Sequence, residues 1–130
     1  MISSSVYDYV NVLDKAADAS WLRQQAISNN IANYDTPGYK RQDVDFEGAL
    51  KQAIQSARGT TMDAKINHLR KGSLDVSTYI DHGDFSYRMD GNNVDVEQEQ
   101  VELAANSVKY QALMQSVNQE FTNLQSVMKK

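Results

Sequence analysis

Two stripes of alternating four- and three-residue steps, one near each end of the chain, constrain the fold more than anything between them. The first runs Val6, Val10, Leu13, Ala17, Ser20, Gln24, Ile27 and Ile31; the second runs Leu103, Ser107, Tyr110, Met114, Val117, Phe121, Leu124 and Met128. Steps of this kind keep side chains on one side of an α-helix, which turns once in about 3.6 residues. Neither stripe is interrupted by Gly or Pro. The expected fold is mainly α: two long helices, over 1–33 and 94–130, pair as an antiparallel coiled coil. A middle section over 34–93 connects them, and each helix spans on the order of 45 Å at ~1.5 Å per residue.

The stripes are not clean apolar seams. Ser20, Gln24 and Ser107 interrupt them, and the flanking faces are crowded with amides: Gln25, Asn29, Asn30, Gln111, Gln115, Asn118, Gln119, Asn123 and Gln125. A solvated helix usually carries more Glu/Lys pairs at i,i+4, which stabilise it and keep it soluble. Amides and hydroxyls suit a surface that ends against other protein, because they satisfy hydrogen bonds without the cost of burying ions. The same spacing also fits an ordinary two-helix coiled coil with a plain exterior. A lone pair of helices with such seams is marginal and calls for neighbours. Tyr7, Tyr9 and Trp21 on the first helix suit either an interface with another subunit or packing on the chain's own second helix.

At 130 residues the chain has one domain's worth of core to build. Its net charge of −4 is spread along the whole length, with no basic patch. That argues against nucleic-acid binding, which needs clustered Lys and Arg to neutralise phosphate. Cysteine is absent, so disulfides, thiolate nucleophiles and cysteine-bound zinc are excluded. No window approaches the length of apolar residues that spans a bilayer. The opening "MISSSVYDYV" lacks the basic start and apolar run of a secretory signal.

The middle has a different texture. "DFEGALKQAIQSARG" places Phe46, Leu50, Ala53, Ile54 and Ala57 on one face of a short helix, with Asp45 as N-cap and Gly59 as stop. "SLDVSTYI" and "FSYRM" alternate around the turn "DHGD", so 73–89 reads as a β-hairpin. Asp95, with Gln98 three residues on, resembles a capping box that opens the last helix.

Two constellations invite a chemical reading. Asp43, Asp45, Glu47 and Gly48 sit at positions 1, 3, 5 and 6 of a calcium loop, but position 12, which needs a bidentate Glu, is Ile54. Asp81, His82 and Asp84 fall close together, yet the only other histidine is His68, too little for a zinc centre. Gly-x-Ser-x-Gly elbows and phosphate-binding glycine loops are absent from the sequence. The expectation is no enzyme, no cofactor and no metal.

"SNNIANYDTPGYK" closes the first helix. Asn33 suits a helix end because Asn tolerates left-handed φ. Pro37 fixes its own φ and disfavours helix at Thr36, while Gly38 supplies positive φ; Thr36–Tyr39 is therefore expected to form a type II turn. Within this context Ala32, Asn33, Thr36, Pro37, Gly38 and Tyr39 match the Ala-Asn…Thr-Pro-Gly-Tyr motif of the bacterial flagellar rod and hook proteins, which the chain closely resembles. "KRQDVDFEGAL" and "DGNNVDVEQEQVELAANSVKYQALMQSV" are similar to the family's proximal rod member, and the small middle section fits a rod subunit without large outer domains. The resemblance covers both ends, about half the chain.

What the resemblance implies is assembly. Members of this family pair their terminal helices and pack with copies of themselves and other rod proteins into a hollow tube, near the ring-rod adaptor and the export gate. They reach the periplasmic rod through the flagellar type III apparatus without a cleaved signal. A neighbouring rod subunit, or a soluble helical adaptor or chaperone of the export system, is the alternative.

Overall fold

The structure is a computed structural model that describes residues 5–57, 59, 61–71, 77–80 and 88–129. Two long helices dominate it: α1, Ser5–Ala32, and, at the far end of the chain, a helix over Val96–Met128. Between them lie β1 (Gln42–Val44), α2 (Phe46–Ser56), α3 (Met62–Lys71) and β2 (Thr78–Ile80), so the C-terminal helix is α4.

α1 and α4 run antiparallel. Ser20 meets Asn106, Gln24 meets Ser107 and Asn30 meets Glu99, so position numbers fall along α4 as they rise along α1. The first stripe faces inward as expected: Ala17, Ser20 and Ile27 are buried, and Val10, Leu13, Gln24 and Ile31 are half-buried. Val6 lies in α1, but its side chain is outside the described set.

α1 also buries a second stripe. Asp8, Ala16, Ala19, Ala26 and Asn30 are buried, with Val12 and Arg23 half-buried between them. Four- and three-residue steps again place these on one side of the helix. Small alanines let β1, α3 and the start of α2 approach the α1 backbone closely. Ala16 and Ala19 join Val44 and Phe46 in one core cluster, with Leu22, Leu50, Ala53 and Leu113 packed around it. α3 lies against α1, where the Tyr9 hydroxyl donates to Asp63 at 2.9 Å.

β1 and β2 form a two-stranded antiparallel sheet in which Gln42 opposes Ile80, Asp43 opposes Tyr79 and Val44 opposes Thr78. Of the expected hairpin over 73–89, Thr78–Ile80 is a strand, and the partner described for it is β1. Residues 73–76 and 81–87 lie outside the described set, and Arg88 and Met89 form a bend and turn. A three-residue strand carries too little alternation to show in a sequence, and this one is fixed from outside, by α1. The middle section also holds a second helix, α3, that was not expected.

Asp45 caps α2 as anticipated, accepting from the Gly48 N–H at 2.7 Å. The helix ends at Ser56, ahead of Gly59, because Ala57 turns to extended geometry. Asp95 opens α4 by accepting from the N–H groups of Glu97 and Gln98.

Candidate assembly junction

The Thr-Pro-Gly-Tyr turn and the start of α4 meet in one polar junction. Gly38 adopts φ +72° and the Tyr39 N–H donates to the Thr36 carbonyl at 3.2 Å, the pattern of a type II turn. Asn33 behaves differently from expectation: no described non-glycine residue has positive φ. It continues the helical bond to Asn29 through its N–H at 3.1 Å, and its side-chain amide donates to the same carbonyl at 2.8 Å. Its Oδ1 accepts from the Thr36 hydroxyl at 3.2 Å. Side-chain capping thus replaces the left-handed residue.

Asn30 is the centre of the junction and is fully buried. Its Nδ2 donates to the Gln42 carbonyl at 2.8 Å and to Glu99 at 2.9 Å. Its Oδ1 accepts from the Gln42 N–H at 2.9 Å and the Tyr39 hydroxyl at 3.2 Å. The carboxamide therefore pairs with one residue of β1 as a neighbouring strand would, and every donor and acceptor it owns is used. Burial and the nearby Glu99 charge raise the Tyr39 pKa above its ordinary value.

A chain of ion pairs continues from there. Arg41 bridges Glu99, which is 1% exposed, to Asp43 at 2.9 Å; Arg23 bridges Asp43 at 2.7 Å to Glu102 at 3.1 Å. Burial opposes the Asp43 charge, but the Arg23 hydrogen bond, the Val44 N–H and the two guanidinium charges outweigh it, so its pKa falls below the usual carboxylate value. Burial likewise opposes the Arg41 charge, and Glu99 and Asp43 more than restore it, so Arg41 is held protonated even more firmly.

The loop before α4 closes the other side. The Gly38 N–H donates to the Asp90 carbonyl at 2.9 Å, Lys40 donates to the Gly91 carbonyl at 2.9 Å, and the Arg41 N–H donates to Asn93 at 2.7 Å. Asn92, 1% exposed, reaches the carbonyls of Asn33, Tyr34 and Thr36.

The motif match to a family model follows this geometry. Residues 11–40 match the model described as flagella basal body rod protein, a span that ends at the turn. The chain is also 36% identical over 129 residues to the flagellar basal body rod protein FlgB of Bacillus subtilis (strain 168), covering 98% of this chain and 95% of that one. The chain belongs to the FlgB family of flagellar basal body rod proteins. The Borrelia hermsii FlgB is 35% identical over 126 residues, 90% of this chain and 87% of the relative, and the Escherichia coli (strain K12) FlgB is 31% identical over 117 residues, 82% of each. The family is one of structural rod proteins, and its membership places the chain among basal-body components.

Among the residues singled out from the sequence, the junction gathers Asn33, Thr36, Gly38 and Tyr39, with Ala32 and Pro37 exposed beside them. The second stripe divides. Leu103, Ser107, Val117 and Leu124 are half-buried, whereas Tyr110, Met114, Phe121 and Met128 are exposed. Trp21 and Tyr7 are each more than half exposed. The calcium-like carboxylates diverge: Asp43 serves the arginines, Asp45 caps α2 and Glu47 pairs with Lys109. Among the described residues no cluster of three or more metal-ligating side chains forms. Asp81, His82 and Asp84 lie outside the described set, as does the His68 side chain. No described helix is long and apolar enough to cross a membrane.

Sequence reading missed Asn92, Glu99 and Asn106. The one signal available was position: Glu99 and Asn106 repeat at seven residues, and Asn92 is seven before Glu99, a polar stripe beside the apolar one.

Proposed function

We propose that this chain is a structural subunit of the proximal flagellar rod, acting by assembly with copies of itself and with other rod proteins into a hollow axial tube. The observation that carries this reading is the outer face of α4. Between Glu102 and Glu120 the only charged residue is Lys109, which is turned to Glu47 on α2. The rest of those seventeen residues is neutral, and Ala104, Ala105, Val108, Gln111, Ala112, Gln115 and Gln119 are all exposed. Alanines and amides over roughly 25 Å of helix make a poor water-facing surface and a good helix-packing one, free of like-charge repulsion.

In this reading α1 and α4 form the tube-wall segment of the subunit, and the junction sends the middle section, over 34–93, outward from it. The stripe residues Tyr110, Met114, Phe121 and Met128, together with Tyr7 and Trp21, become contacts with neighbouring subunits. The ring-rod adaptor and the export gate are its neighbours at the base, and the flagellar type III route delivers it there. The reaction chemistry of an enzyme has no part in this.

Labelling in a flagellated bacterium whose own FlgB has been replaced by this chain tests the proposal. Gold label on a tagged copy is expected at the inner end of the rod in micrographs of isolated basal bodies, with motility restored. Rods that assemble and rotate without the label would overturn it. Val108→Glu is expected to leave the soluble chain folded while preventing its incorporation.

A further inference from the structure

The last turn of α1 has no basic residue, although the C-terminal end of a helix concentrates partial negative charge on carbonyls without helical partners. The compensation comes from far along the chain. The Asn92 amide donates to the carbonyls of Asn33, Tyr34 and Thr36 at 3.0, 2.9 and 2.9 Å, and its own Oδ1 accepts from the Val94 N–H at 2.8 Å. Two N–H hydrogens shared over three carbonyls leave no part of this side chain facing water. Gly38 and Gly91 stand against each other, each with positive φ. A Cβ built on Gly91 would lie 3.9 Å from the Gly38 Cα, so a side chain there would come into contact with the other turn.

Asn92 stands three positions before Asp95, the cap of α4. α4 is in turn tied to α1 by Asn106, which donates to the Ser20 carbonyl at 2.8 Å, and by Glu99 through Asn30. If α4 leaves α1, Asn92 leaves with it, as do the Gly38–Asp90 and Lys40–Gly91 bonds of the same loop, and the bonds that remain within the turn are short-range ones. We infer that Asn92 is a latch that makes the direction in which the chain leaves α1 conditional on the docking of α4. A chain whose C-terminal third has not yet docked has an unset turn; docking sets it. This device is independent of what the helices later assemble with.

Amide hydrogen exchange on the full chain tests it. In the unmodified chain, rising sub-denaturing urea is expected to open the Gly38 and Tyr39 amides together with that of Val101 in α4. Turn amides that stay protected after α4 has loosened would overturn the inference. Asn92→Asp keeps the shape of the side chain but sets a carboxylate against three carbonyls. It is expected to speed exchange at Gly38 and Tyr39 by about tenfold or more, while Ile27 and Val101 keep their protection. Asn92→Ala, which adds no charge, is expected to give the same pattern at smaller amplitude. Equal acceleration at all four amides in both variants would mean that Asn92 contributes only global stability, and unchanged exchange that it holds nothing; either result overturns the inference.

Discussion

At the scale of single residues, the turn separates two kinds of cost. A Cβ at Gly38 would meet no atom within 4 Å, so space is not the constraint there; φ +72° is. Left-handed geometry costs an ordinary residue about 1–2 kcal/mol, and β-branched side chains resist it most. Gly38→Val is therefore expected to lower the urea midpoint clearly. Pro37→Ala, which removes only a restriction on the unfolded chain, is expected to cost under about 1 kcal/mol. Asp43 supplies a pH dependence of known sign. Its folded-state pKa is depressed, so its ion pairs stabilise the fold at every pH above the ordinary carboxylate value, and that stability is lost as pH falls through the folded value. Urea midpoints measured from about pH 6 down to about pH 3 should fall, and Asp43→Asn should flatten the slope. The exposed Lys109–Glu47 pair contributes little to that slope, because solvent screens it.

At the scale of elements, two positions in the same periodic pattern have unlike fates. Ile27 is wholly buried between α1 and its partners, whereas Phe121 is 52% exposed. Ile27→Ala should cost about 2–5 kcal/mol of stability, as buried truncations do. Phe121→Ala should cost the free chain under about 1 kcal/mol by denaturation, and show its effect in assembly instead. This is also where sequence legibility ends. Both long helices were readable because 3.6-residue periodicity is local and repeated many times over. The caps Asp45 and Asp95 were readable for the same reason, since each acts within three residues. β1 was not, because three residues hold no period and Asn30, twelve positions away, supplies its partner groups. The junction was half legible: the turn residues announced themselves, but Asn92 and Glu99 act over more than fifty positions, and their seven-residue spacing does not say what they bind.

At the scale of the whole molecule, the two ends of the helix pair are built differently. From Ser20 to Ala32, α1 is held by α4 and β1 through the Ser20–Asn106 bond, the arginine bridges and the Asn30 network, and the turn after it is held by the loop over 88–93 through Asn92. Beyond Leu113, α4 has half-buried residues only at Val117, Glu120 and Leu124, and every other described position is exposed. A helix with so little burial is marginal on its own in water. One end is thus braced, and the other is expected to become rigid when neighbouring subunits cover it. Backbone Cα chemical shifts along α4, read first in the dilute chain and then in assembled rods, test that contrast directly. The dilute chain should show full helical shifts from Val96 to about Leu113 that decay toward Met128, and the assembled form should carry them to Met128. Full helical shifts to Met128 in a dilute chain that does not associate would contradict the account.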